Sequence, residues 1–272
     1  MINQVKNYRN ILFSQILIVS VVVIYFGCTR EKMGKEYYNT GEIKKEIIYK
    51  NRKDTSDVKV IGYYRSGKTQ YYTNYKNGIR EGEYKSFYED GFIKDDLNFN
   101  KGKLYGVQRR YNKKHELYEE SLYIDGKLLL TKEFRINPVY KLSQTRIFLT
   151  KDTTLFRVGE ITYDSIGNVI ENASYFYDII GPDTVARGSM INFLIKFYNK
   201  RDDFYFELCL GTLMPDLTLS DTLFRKVTMK DTISYYFYPE KTGKNLITGI
   251  VYLKKDTINL KFPFYKEIFV KN

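Results

Sequence analysis

The chain has 272 residues, which is long enough for two domains with an apolar core. It contains 27 Tyr and 18 Phe but no Trp. Because Tyr and Phe favour pleated, half-buried surfaces, this composition predicts mainly β structure. The formal charge is +12, from 44 Lys and Arg against 32 Asp and Glu. Basic and acidic residues are interleaved in most segments, which is typical of a solvated β surface rather than of a concentrated nucleic-acid-binding patch.

The N-terminus carries the features of an export signal. Lys6 and Arg9 precede an almost wholly apolar run over residues 11–26. This run is too short to cross a bilayer as a helix and suits the core of a signal peptide. Gly27 and Cys28 follow directly, an arrangement that resembles the lipobox of bacterial lipoproteins. The resemblance implies a signal peptide over residues 1–27, a lipid on Cys28 and a tether over residues 28–36. The alternative is a short transmembrane anchor with an incidental cysteine.

This signal also determines the expected compartment. The chain is expected outside the cytoplasm, held to the outer membrane by its N-terminal lipid, and nucleic acid is not an expected partner. No acidic run follows Cys28, so the periplasmic side is favoured over the cell surface. Lipidation would leave Cys209 as the single thiol, which excludes an internal disulfide. Cys209 is expected to be a small packing residue.

A 24-residue period dominates the next hundred residues. Three series share this spacing: Gly78, Gly102 and Gly126; Tyr75, Phe99 and Tyr123; and Tyr63, Phe87 and Tyr111. A fixed period of this size indicates a stack of small supersecondary units. Asn-Gly and Asp-Gly pairs between alternating residues are strong hairpin signals, so each unit is predicted to hold two strands and two turns.

The repeated segments resemble a known family. Tyr75-Lys76-Asn77-Gly78 and Phe99-Asn100-Lys101-Gly102 are similar to the bacterial variant of MORN repeats, which tile a single, twisted antiparallel sheet. The resemblance implies such a sheet over residues 37–135. Bacterial repeats of this kind are often described as antitoxin-like, so the family implies one alternative function: an inhibitor that clamps a toxin or an envelope enzyme.

The remainder of the chain changes in pattern. Residues 136–181 are predicted to be a connecting β segment. From residue 182 to residue 272 longer alternating strands follow, such as Ile191, Phe193, Ile195 and Phe197 on one face. Their number and spacing predict an antiparallel β-sandwich. It is similar to the immunoglobulin-like modules of bacterial surface proteins, without their disulfide and core Trp. The predicted fold class is therefore mainly β, with a MORN-like repeat sheet followed by an immunoglobulin-like β-sandwich.

The sequence offers little for catalysis. His115 is the single histidine, which excludes a multi-histidine metal site within one chain, and it occupies the position of a repeat glycine in an expected exposed turn. Adjacent carboxylates such as Glu119 and Glu120 point to opposite faces of a strand and are expected to be solvated. We therefore predict no catalytic residue, no metal and no cofactor. An enzyme that acts on cell-wall polymer would need a deep, carboxylate-lined cleft between the two β regions.

Aromatic residues outside the period are the candidates for binding. The period-locked aromatic residues are expected to pack one repeat against the next. Tyr71, Tyr72 and Tyr84 break the period and are predicted to form an exposed face for a protein or cell-wall partner. The expected role is non-catalytic: a membrane-anchored envelope lipoprotein that binds or scaffolds through its repeat surface.

Overall fold

The computed structural model describes residues 32–49, 56–136, 144–151, 154–198, 203–239 and 241–272. These residues form β-strands joined by turns, with one short 3-10 helix at Glu171–Ala173. The predicted mainly-β class is confirmed. Within the described ranges, no helix has the length and apolar character that a membrane span requires. The predicted signal peptide and Cys28 lie outside the described residues.

The first of three sheets, which we call the repeat sheet, has twelve strands. They are β1 (Lys32–Tyr37), β2 (Ile43–Tyr49), β3 (Asp57–Tyr63), β4 (Thr69–Lys76), β5 (Ile79–Phe87), β6 (Ile93–Asn100), β7 (Lys103–Leu104), β8 (Gly106–Tyr111), β9 (Leu117–Ile124), β10 (Lys127–Arg135), β11 (Gln144–Lys151) and β12 (Thr154–Thr162). Each long strand pairs antiparallel with the next along the chain, and the two-residue β7 pairs with β6. The result is a simple meander.

The repeat glycines serve turns, as the period predicts. Asn77 and Gly78 both have positive φ, at 51° and 74°, and Asp125 and Gly126 repeat this at 50° and 80°. Two successive residues with positive φ form the two-residue hairpin whose twist matches that of the flanking strands. The hairpins at the other ends of these strands have a different type of turn. Gly67 and Gly91 have positive φ in two of these turns, and His115 occupies the same position in the next one, with a φ of 65°. His115 is exposed there, as predicted.

A ladder of tyrosine hydroxyls links successive repeats. The hydroxyls of Tyr38, Tyr64 and Tyr88 donate to the carbonyl oxygens of Tyr63, Phe87 and Tyr111 respectively, each at 2.7 Å. In each case the acceptor lies in the next repeat, 23 to 25 residues along the chain. These hydrogen bonds satisfy carbonyl groups at the turns and fix the distance between neighbouring repeats.

Replacement of Tyr64 by Phe should lower the free energy of unfolding by about 1 kcal/mol, since the Phe87 carbonyl loses its donor while the ring remains. Urea denaturation measures the change. The same substitution at Tyr88 should cost a similar amount, because its hydroxyl makes the equivalent bond. A change below the error of the measurement in both variants would show that the ladder does not stabilise the sheet.

The described sheet extends beyond the segment in which the repeat is visible. β1 begins at Lys32, inside the residues predicted to be a tether, and pairs with β2 along its whole length. At the other end β11 and β12 continue the sheet to Thr162, within the predicted connecting segment. These two strands lack the glycine period but bury Ile147 and Ile161 in a core, and this burial explains why they join the sheet.

The other two sheets form the C-terminal sandwich. The three-stranded sheet has β13 (Phe176–Ile180), β15 (Ile191–Tyr198) and β18 (Thr232–Phe237), in the order β13-β15-β18. The five-stranded sheet has β14 (Thr184–Ala186), β20 (Ile258–Lys271), β19 (Gly243–Lys255), β16 (Tyr205–Leu210) and β17 (Phe224–Thr228), in that order. The sandwich therefore begins at Phe176, slightly before the predicted boundary.

The connectivity of the sandwich alternates between its two sheets. In chain order, the first, second and fifth main strands form one sheet and the third, fourth, sixth and seventh form the other. β14 is a short continuation of the first strand that crosses to the second sheet and pairs parallel with β20. The sequence alternation predicts a purely antiparallel sandwich, and this parallel pair departs from that prediction. The chain keeps its direction when it crosses from the first sheet to the second, and in that direction β14 runs parallel to β20.

The molecule has three layers, with the five-stranded sheet in the middle. Its inner face packs on the three-stranded sheet through Leu208, Val251 and Phe264. Its outer face packs on β8–β12 of the repeat sheet, where Ile250 lies in one apolar cluster with Leu122. Since β19 is covered on both faces, its sequence is continuously apolar from Leu246 to Leu253 apart from Thr248 and Gly249, as expected for a doubly buried strand.

Candidate binding faces and the junction cleft

Cross-strand pairing assigns the residues of the repeat sheet to two faces, because directly opposed residues point to the same side. One row comprises Tyr72, Lys85, Asp96, Arg109 and Glu120. The adjacent row comprises Tyr71, Ser86, Asp95, Arg110 and Glu119 and points to the opposite side. Arg109 contacts Glu267 of the sandwich. We therefore call the first side the sandwich side and the second the free face.

The free face carries an aromatic–arginine cluster on β4–β6, which we define as Tyr71, Tyr75, Arg80, Tyr84 and Phe99. The rings of Tyr71 and Tyr84 stack with centroids 6.1 Å apart, and Tyr84 meets Phe99 edge to face at 6.4 Å. The guanidinium carbon of Arg80 lies 4.7 Å from the centroid of Phe99 and 5.4 Å from that of Tyr84. The cluster thus joins three strands through rings and one cation.

Arg80 is unusual because its charge has no counterion among the described residues. Among the described residues its side chain makes one hydrogen bond, from Nη2 to the hydroxyl of Tyr75 at 3.5 Å, and its buried Nε meets no acceptor. Arginine is commonly paired with carboxylates or stacked on aromatic rings. The Arg80 guanidinium stacks on the rings of Phe99 and Tyr84, but no carboxylate of the described residues pairs with it. It can therefore pair with an anionic group of a partner.

The structure separates Tyr72 from the other two predicted binding residues. Tyr71 and Tyr84 lie together on the free face, whereas Tyr72 points to the sandwich side. Its hydroxyl donates to Glu83 Oε2 at 2.7 Å and its ring packs 6.0 Å from that of Phe87. The three tyrosines therefore do not form one surface. Alternation along β4 accounts for the separation of Tyr71 from Tyr72, because neighbouring residues of a strand point to opposite faces.

The period-locked aromatic residues are divided between the two faces as well. The Tyr63 hydroxyl donates to Glu46 Oε2 at 2.7 Å on the sandwich side, whereas Phe99 belongs to the cluster on the free face. The 24-residue period therefore stabilises both faces of the sheet rather than one.

Stability should decrease at alkaline pH because of Tyr63 and Tyr72. Burial, and then the hydrogen bond to a glutamate, raise the pKa of each phenol from 10.0 to about 12. The neutral phenol is thus favoured by the fold, so its contribution is complete below pH 10 and is lost as the pH rises towards 12. We expect the free energy of unfolding to decrease between these values, measured by urea titration at each pH. The decrease should be smaller in Tyr72→Phe; an identical profile would contradict the assignment.

A polar network joins the repeat sheet to the sandwich. Arg109 donates from Nε to Glu120 Oε2 at 2.8 Å and from Nη1 to Glu267 Oε2 at 2.5 Å. The Tyr265 hydroxyl donates to Glu120 Oε1 at 2.8 Å, and Lys132 Nζ lies 4.8 Å from the centre of the Tyr265 ring. Burial alone would lower the pKa of Arg109, but Glu120 and Glu267 raise it. The guanidinium is therefore held charged at the junction.

The network lines a cleft of about 440 Å³ between the repeat sheet and the sandwich. Glu120 and Glu267 lie in its wall beside Asp178, Asp183 and four basic residues: Arg109, Lys132, Lys244 and Lys266. A carboxylate-lined cleft is what an enzyme acting on cell-wall polymer would need. Here Glu120 and Glu267 share Arg109, and Asp183 pairs with Lys266. These three carboxylates thus neutralise basic groups of the cleft itself.

The acid strength of the carboxyl groups also bears on catalysis. The described carboxyl groups with a displaced pKa have it lowered: Glu42, Glu46, Glu83, Asp90, Asp164, Glu207 and Asp216. A general acid at neutral pH requires the opposite direction. The described residues also contain no group of three or more His, Cys, Asp or Glu side chains that could hold a metal ion.

The buried thiol is not activated. Cys209 lies on the face opposite Leu208 and Leu210 and its Sγ is 3.6 Å from Glu207 Oε1. Burial, followed by the charge of Glu207, raises the pKa of the thiol. A thiol that stays protonated is a poor nucleophile, which fits the predicted packing role.

The sequence did not lead us to predict the junction network, although one of the two ion pairs of Arg109, the pair with Glu120, could have been predicted from hairpin register. Once the turn around His115 is placed, hairpin register pairs Arg109 with Glu120 and Arg110 with Glu119. Glu120 is therefore an ion-pair partner rather than a solvated strand residue. The contact from Arg109 to Glu267 spans 158 residues, and no local pattern indicates it.

Comparison with known proteins provides no further identification. No model of a protein family matches the chain, and a comparison with curated proteins likewise finds no match.

Proposed function

We propose that this chain is an envelope lipoprotein, anchored to the outer membrane through a lipid on Cys28, which binds a protein or cell-wall partner through the free face of a MORN-like repeat sheet. The role is non-catalytic. The observation that carries the proposal is the aromatic–arginine cluster on the free face, in which Arg80 stacks on aromatic rings and has no counterion among the residues that the structure describes.

The composition of the cluster supports binding. Tyr and Arg are enriched among the residues that dominate the affinity of protein interfaces, since both combine a large apolar surface with hydrogen-bond donors. The ion-paired glutamates of the junction cleft support the non-catalytic part. The lipobox-like Gly27-Cys28 pair after the apolar run supports the anchor.

Metabolic labelling with a clickable palmitate analogue tests the anchor. The unchanged chain should incorporate the label and the Cys28→Ala variant should not. The Cys209→Ala variant is the matched control and should label fully. Label retained on Cys28→Ala would overturn the lipoprotein assignment.

Photocrosslinking in intact envelopes tests the binding face. A photoreactive phenylalanine replaces Tyr71 or Tyr84 in the cluster, Tyr72 on the sandwich side, or the exposed Tyr236 of the sandwich. The first two positions should yield the same crosslinked species, and Arg80→Gln should weaken it. Crosslinks from Tyr236 alone would overturn the assignment of the free face. A stoichiometric complex with a toxin or an envelope enzyme would identify the partner as the target of an inhibitor.

A further inference from the structure

A separate apolar pocket opens between the two sheets of the sandwich. It has a volume of about 270 Å³, and every residue that lines it is aromatic or aliphatic. Phe176 and Tyr177 of β13 contribute from one sheet and Phe206 and Phe262 from the other. Leu260 lines the opening and is about half exposed. The pocket is therefore accessible from solvent and mostly apolar, with Tyr175, Tyr177 and Tyr198 as the lining residues that carry a hydroxyl.

The backbone of Phe176 is strained in a way that shapes this pocket. Neighbouring residues of a strand normally point to opposite faces. Phe176 has a φ of 130°, and its ring stacks on that of Tyr177 with centroids 4.6 Å apart. Both rings thereby line the same wall. Non-glycine residues in such conformations are costly and tend to occur where function requires them.

Gly159 of the repeat sheet makes this arrangement possible. A Cβ at that position would lie 2.5 Å from Cβ and Cγ of Phe176. Only glycine allows the ring to occupy the wall, so the repeat sheet and β13 together hold the pocket in its present form.

The interior offers few hydrogen-bonding groups to a polar ligand. The Tyr177 hydroxyl already donates to the carbonyl of Pro263 at 2.6 Å, and no lining side chain has a buried polar atom without a partner. A charged or hydroxylated group would lose its hydration there without compensation. An occupant must therefore be a hydrocarbon where it enters the pocket.

Basic groups lie beside the pocket among the described residues: Lys196 Nζ is 5.5 Å from the centroid of Tyr198, and Lys255 lies next to Phe204. Lys255 Nζ lies 5.7 Å from the centroid of Phe204, which lines the pocket, and the ammonium pairs with Asp203. Both side chains of this pair are substantially exposed, at 32% and 45%. Exposed ion pairs contribute little stability, so Lys255 can exchange its partner for the carboxylate of a ligand at small cost.

We propose that this pocket binds one saturated acyl chain of medium length, with its anionic head group at Lys255. A methylene is close in size to a water molecule, which occupies about 30 Å³ in the liquid. The pocket of about 270 Å³ then holds a chain of about nine carbons. The proposed ligand is a free fatty acid rather than a membrane lipid, and the site does not depend on the function proposed for the repeat sheet.

Photolabelling of the full chain in lipid nanodiscs tests the site. A decanoate that carries a diazirine near its methyl end should label peptides from β13, β16 and β20. Unlabelled carboxylates should compete about fourfold better for each added methylene up to about ten carbons, after which the gain should stop. Label at surface positions alone, or competition that is independent of chain length, would overturn the proposal.

One pair of variants and one pair of competitors keep the test specific. Leu260→Trp fills the opening and should reduce labelling at least tenfold, whereas Phe269→Trp, which is exposed on the same strand and pairs with Lys244 rather than with Lys255, should not. Lys255→Gln should weaken competition by decanoate but not by decanol. Equal labelling of the two Trp variants, or an equal effect of Lys255→Gln on acid and alcohol, would contradict the assigned ligand. Nanodiscs of phosphatidylglycerol that abolish labelling at equal decanoate would identify a membrane lipid as the ligand instead.

Discussion

Replacement of Arg109 by alanine is expected to lower the free energy of unfolding by about 3 kcal/mol, because two mostly buried carboxylates lose their shared cation. The side chains of Glu120 and Glu267 are 13% and 19% exposed. Glu120 keeps the Tyr265 hydroxyl as a donor, whereas the one cation that stays near Glu267 among the described residues is Lys244, at 3.9 Å. Denaturation by urea measures the loss.

Arg110 is the matched control for this variant. It is the next residue, lies on the free face and pairs with Glu119 at 2.7 Å, but its side chain is 39% exposed. Arg110→Ala should cost less than about 1 kcal/mol, as expected for a surface pair. In the double variant Arg109→Ala/Glu267→Ala, the total loss should be smaller than the sum of the single losses. Equal effects of Arg109→Ala and Arg110→Ala would contradict the role assigned to the junction.

Truncation of Leu122 to alanine should also cost about 3 kcal/mol, within the usual range for a fully buried leucine. Leu122 is 0% exposed and belongs to the apolar cluster that contains Ile250 of the sandwich. Because this cluster is shared, the variant should destabilise the sandwich together with the repeat sheet. Hydrogen exchange under native conditions measures this: amides of β16 and β9 should lose the same protection.

Ile79 provides the comparison, since it is an aliphatic residue of the same sheet that is half exposed. Ile79→Ala should change the stability by less than about 0.5 kcal/mol. If Leu122→Ala lowered protection in β9 while β16 remained unchanged, the two parts would unfold independently and the shared core would contribute little to their coupling.

Local signals in the sequence predicted the elements well. Turn positions such as Asn77-Gly78 follow from backbone sterics, and the alternation over residues 191–197 follows from the two faces of a strand, so neither requires tertiary information. The extension of the sheet over β11 and β12 could not be predicted in the same way. Ile147 and Ile161 join it because they meet the sandwich, and such burial depends on residues far along the chain.

The candidate site shows the same limit. Tyr71 and Tyr84 could be singled out because they break the 24-residue period. Their partner Arg80 could not, since a lone arginine between aromatic residues is common and its missing counterion is visible only in three dimensions. The apolar pocket had no local signal either, because the conformation of Phe176 depends on Gly159 in another sheet.

The meander has a consequence for distances within the molecule. Neighbouring strands lie about 4.8 Å apart, so each 24-residue unit, with its two strands, lengthens the sheet by about 10 Å. Adding a whole unit preserves which side chains face the sandwich, because the chain returns to the same direction after two strands. Since the first described strand of the sheet is β1 and the sandwich packs on β8–β12, the number of units sets how far the sandwich stands from the β1 edge of the sheet. A change in length by whole repeats therefore requires no redesign of either end.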